Sequence, residues 1–118
     1  MRKLNLLLLI SAALLAGCQA TPEQARNNGP FYSEFSNKDA DSVSRCIYQG
    51  WSTTQVIEQD PTTHRDAQTD KTSVYTWQNS LFADIYPRGS GTEVKFYKTF
   101  DMWPGVLADR SRIVKSCV

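Results

Sequence analysis

The chain has 118 residues, 41% of them hydrophobic and 21% charged, enough for one small core and too few for several domains. Thirteen Lys and Arg against twelve Asp and Glu give a net charge of +1, which excludes a bulk electrostatic case for nucleic acid. Without Arg2 and Lys3, eleven basic residues face the same twelve acidic ones, and the remainder carries −1.

Arg2 and Lys3 precede an apolar run, Leu6 to Leu15, which closes on Ala16, Gly17 and Cys18. A basic start, an apolar core and a small-residue close are the three regions of an export signal. The run is about half of the roughly 20 residues that a membrane-spanning helix needs. A buried core helix, or cleavage at another point, is the competing reading. Leu14-Leu15-Ala16-Gly17-Cys18 resembles the lipobox of bacterial lipoproteins. The resemblance implies cleavage before Cys18, a diacylglycerol thioether on its sulfur and an N-terminal acyl chain. One acyl chain holds a membrane marginally and two hold it stably. In Gram-negative lipoproteins an Asp after the cysteine commonly retains the protein at the inner membrane. Gln19 stands there instead, which implies an outer-membrane anchor facing the periplasm. Residues 1–17 are then a signal peptide, 18–36 a lipidated cysteine and tether, and 37–118 a globular domain.

The tether is expected from Gln19-Ala20-Thr21-Pro22-Glu23 and Asn27-Asn28-Gly29-Pro30, which are polar and rich in helix breakers. A local helix near Glu23–Arg26 fits the same residues, and Phe31, Tyr32 and Phe35 would cap the core. Asn37 to Gln49 reads as a helix capped by Ser36 or Asn37 and stopped by Gly50. Its apolar stripe is Ala40, Val43, Ile47 and Gly50 or Trp51, with Cys46 beside it.

Strand signals follow. Thr53 to Glu58 holds the β-favouring Thr-Gln-Val-Ile, and Asp60 to Asp70 reads as a polar loop. Ser73 to Trp77 alternates, as do Leu81, Ala83 and Ile85 against Phe82 and Asp84. Arg88-Gly89-Ser90-Gly91 is a turn, and Thr92 to Phe100 completes a hairpin with the strand that starts at Leu81. Val94, Phe96 and Phe100 share one parity and Glu93, Lys95, Tyr97 and Thr99 the other, a pattern that fits a one-sided antiparallel sheet. Pro104 to Cys117 reads as a closing helix with Val106, Leu107, Ile113, Val114 and Cys117 on its stripe, and Arg110, Arg112 and Lys115 mostly outside it.

With Cys18 spent on lipid, Cys46 and Cys117 remain. In an oxidising envelope compartment the pair reads as a disulfide, two free buried thiols being the alternative. A metal pair fits poorly, because His64 is the single histidine and no CxxC spacing exists. A disulfide puts both helices on one face of the sheet. The expected fold is therefore α+β, a two-layer domain with an N-terminal helix, about four antiparallel strands and a C-terminal helix. Cys46, Gly89-Ser90-Gly91, Phe96-Tyr97 and Cys117 are similar to a loose class of small Gram-negative lipoproteins, a resemblance that implies no activity.

Chemical constellations are sparse. His64 sits in a polar loop, so a small hydrolase would need a cleft built around it. Asp60, Asp66 and Asp70 lack the spacing of a calcium loop. Glu58 and Asp84 are not placed together by anything in the sequence. Arg88 to Gly91 lacks the Lys-Ser/Thr of a phosphate loop. No cofactor is expected, and the chain reads as a non-enzyme. The aromatic residues are the remaining signal. Either these large rings fill a small core, or some of Tyr75, Trp77 and Tyr97 are exposed on a helix-free sheet face with Lys95, Lys98 and Arg88 beside them. Such a face suits an acidic partner, an envelope protein or a glycan. An inhibitor of an envelope-attacking enzyme such as lysozyme is the second reading. Some of these inhibitors are small, lipid-anchored and disulfide-closed, but carry a Ser-Gly-x-x-Tyr loop where this chain has Ser90-Gly91-Thr92-Glu93-Val94.

Overall fold

The computed structural model describes residues 19–54 and 59–118. In chain order the elements are α1 (Pro22–Asn28), β1 (Tyr32–Ser36), α2 (Ala40–Thr53), β2 (His64–Ala67), β3 (Thr72–Thr76), β4 (Leu81–Arg88), β5 (Gly91–Lys98) and α3 (Pro104–Cys117). All strands pair antiparallel in one sheet, ordered β1-β5-β4-β3-β2. The α+β class is as expected, with five strands rather than about four. Among the described residues no helix is long and apolar enough to cross a membrane.

Both unexpected strands are edges. β1 comes from the stretch expected as a tether and lies beside β5 with Tyr32 opposite Phe96. β2 comes from the expected polar loop and lies beside β3 with His64 opposite Tyr75. Tyr-Ser-Glu-Phe-Ser and His-Arg-Asp-Ala carry little apolar alternation, because polar and charged residues are what edge strands commonly hold. Of the expected strand 53–58, Thr53 is the last residue of α2; residues 55–58 lie outside the described residues.

The central hairpin follows its sequence closely. Gly89 adopts φ +60 in the two-residue turn between Arg88 and Gly91, which pair across it. Leu81, Ala83 and Ile85 point to one face of β4, and Phe82 and Asp84 to the other.

The first face carries the main core. Val43, Ile47 and Trp51 of α2 and Val106, Ile113, Val114 and Cys117 of α3 meet Val74, Leu81, Ala83, Ile85, Val94 and Phe96 of the sheet. Trp51 is fully buried, and its Nε1–H donates to the Arg110 carbonyl at 3.1 Å. The Cys46–Cys117 disulfide ties the two helices, with Cα atoms 5.7 Å apart. Asp39 caps α2, accepting from the Ser42 amide at 3.0 Å, so the helix starts after the expected caps. Gly50 does not stop it. The helix runs on to Thr53, and Gly50 lies where a Cβ would overlap the Ile113 side chain. Its role is close contact between the helices. Arg110, expected outside the stripe, is buried. Its Nη1 donates to Asp109 at 2.8 Å, and Asp109 also accepts from Thr54 Oγ1 and Arg112 Nη2, each at 2.9 Å.

Candidate functional site

The second sheet face was expected to be free of helix. α1 covers part of it instead. Thr21 caps α1 through a reciprocal pair, its hydroxyl accepting from the Gln24 amide and its own amide donating to Gln24 Oε1. Ala25 then packs on Tyr75, Phe82 and Tyr97 as a small second core. These rings form a row across the sheet, Tyr75 and Phe82 tilted with centroids 5.4 Å apart and Phe82 and Tyr97 stacked at 4.8 Å. His64 of the edge strand continues the row, stacked 5.0 Å from Tyr75. Its Nδ1 lies 2.8 Å from the Thr62 carbonyl, which can only accept, so that contact calls for the proton on Nδ1.

Beside the rings lies a buried ion pair. Asp84 is fully buried at the centre of β4. Arg26 reaches down from α1, donating from Nε to Asp84 Oδ2 at 2.7 Å and from Nη2 to Asp84 Oδ1 at 2.9 Å. Nη2 also donates to Tyr75 Oη at 2.9 Å, and the guanidinium lies 4.6 Å over the Phe82 ring. Ser73 Oγ donates to Asp84 Oδ1 at 2.6 Å. The Asp84 hydrogen bond, opposed by burial, holds the Arg26 pKa above its ordinary value.

The expected partner-binding residues therefore separate. Tyr75 and Tyr97 are buried under α1 rather than displayed. Burial first, and the Asp84 charge second, push the Tyr97 hydroxyl up to about 12. Trp77 leaves the row altogether. It sits in the β3–β4 turn with φ 52 and packs on the edge of the main core. Lys95 stays on the second face, half-exposed, 5.4 Å from the Tyr86 ring.

What the second face leaves open is centred on Tyr86. Arg88 Cζ lies 4.8 Å and Lys71 Nζ 5.9 Å from the same ring, so three cations surround one half-buried aromatic. Glu93 offsets Arg88 through a 3.3 Å ion pair, whereas Lys71 and Lys95 make no ion pair among the described residues. Burial raises the Tyr86 pKa, with Asp84 adding to it. The patch can therefore offer a neutral hydroxyl, a ring face and two ammonium groups to an acidic or sugar-like ligand. Phe35 is the exposed ring of the neighbouring edge strand at 73% exposure.

Two further features were not expected. Asp60 organises the β3–β4 turn. It accepts from the amide and hydroxyl of Thr62, from the hydroxyls of Thr63 and Thr76, and from the Trp77 amide. Trp77, Gln78 and Asn79 are held there at φ 52, 52 and 67, a left-handed run that side-chain-bearing residues rarely adopt. Phe100, expected inside, is 36% exposed, and Trp103 is 75% exposed. Among the described residues no cluster of His, Cys, Asp and Glu could hold a metal ion.

This arrangement defines a small, disulfide-closed α+β domain with a five-stranded antiparallel sheet and helices packed on both faces. No family model matches the chain, and no curated protein is detectably similar to it.

Proposed function

We propose that this chain is a lipid-anchored lipoprotein of the bacterial envelope, acting as a non-enzymatic binding or structural module in the periplasm. The observation that carries the reading is Leu14-Leu15-Ala16-Gly17-Cys18 behind a basic start and an apolar run. The Cys46–Cys117 disulfide supports an oxidising compartment. Gln19 favours the outer membrane. The patch of Tyr86, Lys71, Arg88 and Lys95 is the surface assigned to an acidic partner, protein or glycan.

Incorporation of labelled palmitate tests the anchor. The wild-type chain takes up label and fractionates with membranes, and Cys18→Ser does neither; a wild-type chain without label overturns the reading. Crosslinking from the native membrane tests the patch. Lys71→Glu with Lys95→Glu is expected to lose the principal crosslinked species. An unchanged crosslinking pattern in that variant removes the patch from the proposal.

A further inference from the structure

We infer that the end of the sheet around Phe100 is a membrane-resting face, so that the domain lies directly on the lipid surface instead of hanging from a tether. The inference rests on the lipidation of Cys18 proposed above. Its geometric basis is the path of the chain after that residue. The Ala20 amide donates to the Thr99 carbonyl at 2.9 Å, and Gln19 Nε2 lies 3.5 Å from Thr99 Oγ1. The residue following Cys18 is thus already docked beside Phe100. In the sequence the lipid-bearing Cys18 directly precedes Gln19.

The same end collects exposed apolar side chains. Phe31 at 47%, Phe100 at 36% and Trp103 at 75% are three of the five large hydrophobic residues exposed among the described residues. Three shallow hollows converge on Phe100. One also involves Ala20, Phe31 and Lys98; the second, Gln19 and Trp77; the third, Trp77, Met102 and Trp103. The left-handed turn that Asp60 clamps holds Trp77 beside that third hollow. Lys98 Nζ lies 4.9 Å over the Phe31 ring and 2.9 Å from the exposed carboxylate of Asp101.

The composition fits the boundary of a bilayer. Tryptophan and phenylalanine bury ring area at headgroup depth, and lysine beside them keeps its ammonium among phosphates. Acyl chains leaving next to such a face favour the lipid surface as its occupant over a second copy or a soluble protein, because the anchor already brings the bilayer there.

Tryptophan quenching in vesicles tests this. The full lipidated chain is reconstituted into phosphatidylethanolamine–phosphatidylglycerol vesicles carrying lipid brominated along the acyl chain. Wild-type emission is expected to be quenched, that quenching falling in Trp103→Phe to the share of half-buried Trp77, while both proteins float with the vesicles. Trp51 is fully buried and serves as the unquenched background. Mass analysis reads the lipid on Cys18 independently. A lipidated, floating protein whose emission bromine does not touch overturns this inference and leaves the anchor standing. A Trp103 signal that depends on protein concentration and not on brominated lipid overturns it in favour of a second copy. An unlipidated wild-type chain overturns the anchor and this inference together.

Discussion

Arg26 and Asp84 lie 58 residues apart in the chain and meet on the second face of the sheet through two hydrogen bonds of 2.7 and 2.9 Å. The carboxylate is fully buried, and a fifth of the arginine side chain is open to solvent. This pair, with the ring of Phe82 beneath it, fastens α1 to the second face.

Removing Arg26 leaves a buried carboxylate without its counter-ion. Breaking such a pair costs about 3–5 kcal/mol, and the exposed part of Arg26 places this one near the lower end. Arg26→Met is expected to lower stability by about 3 kcal/mol in urea unfolding, and Arg26→Met with Asp84→Leu to recover much of it. Equal stability of Arg26→Met and wild type would sink the pair as a fastening.

The disulfide closes a loop with sequence separation 71. Chain entropy assigns about 4 kcal/mol to a loop of that size. Reduction, or Cys46→Ala with Cys117→Ala, should lower Tm by roughly 15–30 °C. Superimposable melts with and without reductant would contradict this.

Gly50→Ala adds a methyl group that overlaps the Ile113 side chain. Alanine is the better helix former by about 1 kcal/mol, but overpacking costs about 1–3 kcal/mol and the two helices are tied by the disulfide. A net destabilisation is expected. In a double-mutant cycle, Ile113→Ala should weaken the penalty of Gly50→Ala. Strictly additive effects would show that the helices move apart freely.

Burial acting alone would raise the Asp60 carboxyl, but hydrogen bonds from Thr62, the Trp77 amide and Thr76 outweigh it and hold it at about 2, against an ordinary 3.8. A depressed carboxylate contributes stability that is complete above its unfolded value and lost as the pH falls through the folded one. The stability gap between wild type and Asp60→Asn should therefore be constant above about pH 5 and shrink between about pH 4 and 2. A gap that stays level down to pH 2 would remove Asp60 as the ionised clamp of the turn.

Legibility in the sequence followed burial on a single regular face. The hairpin from Leu81, the stripe of Val43, Ile47 and Trp51, and the helix Pro104–Cys117 all repeat at the period of their element, and each was expected. Phe100 broke the β5 parity because the strand ends at Lys98, and no alternation applies beyond a strand's end. Arg26 was hidden because its partner is distant in sequence. The available clue was Asp84, a carboxylate between Ala83 and Ile85 in the middle of a strand, since a buried charge calls for a counter-charge.

By itself the sequence determined the α+β class, the two long helices and the central hairpin, because those depend on local periodicity and on turn chemistry at Gly89. The pairing of Cys46 with Cys117 was an expectation that the fold met. Only the tertiary structure decided that Tyr32–Ser36 and His64–Ala67 are strands, that α1 closes the second face over Tyr75 and Tyr97, and that Gln19 docks beside Phe100. Edge strands and docked segments draw their stability from hydrogen bonds and contacts supplied by remote residues, and such partners leave no period in the chain that needs them.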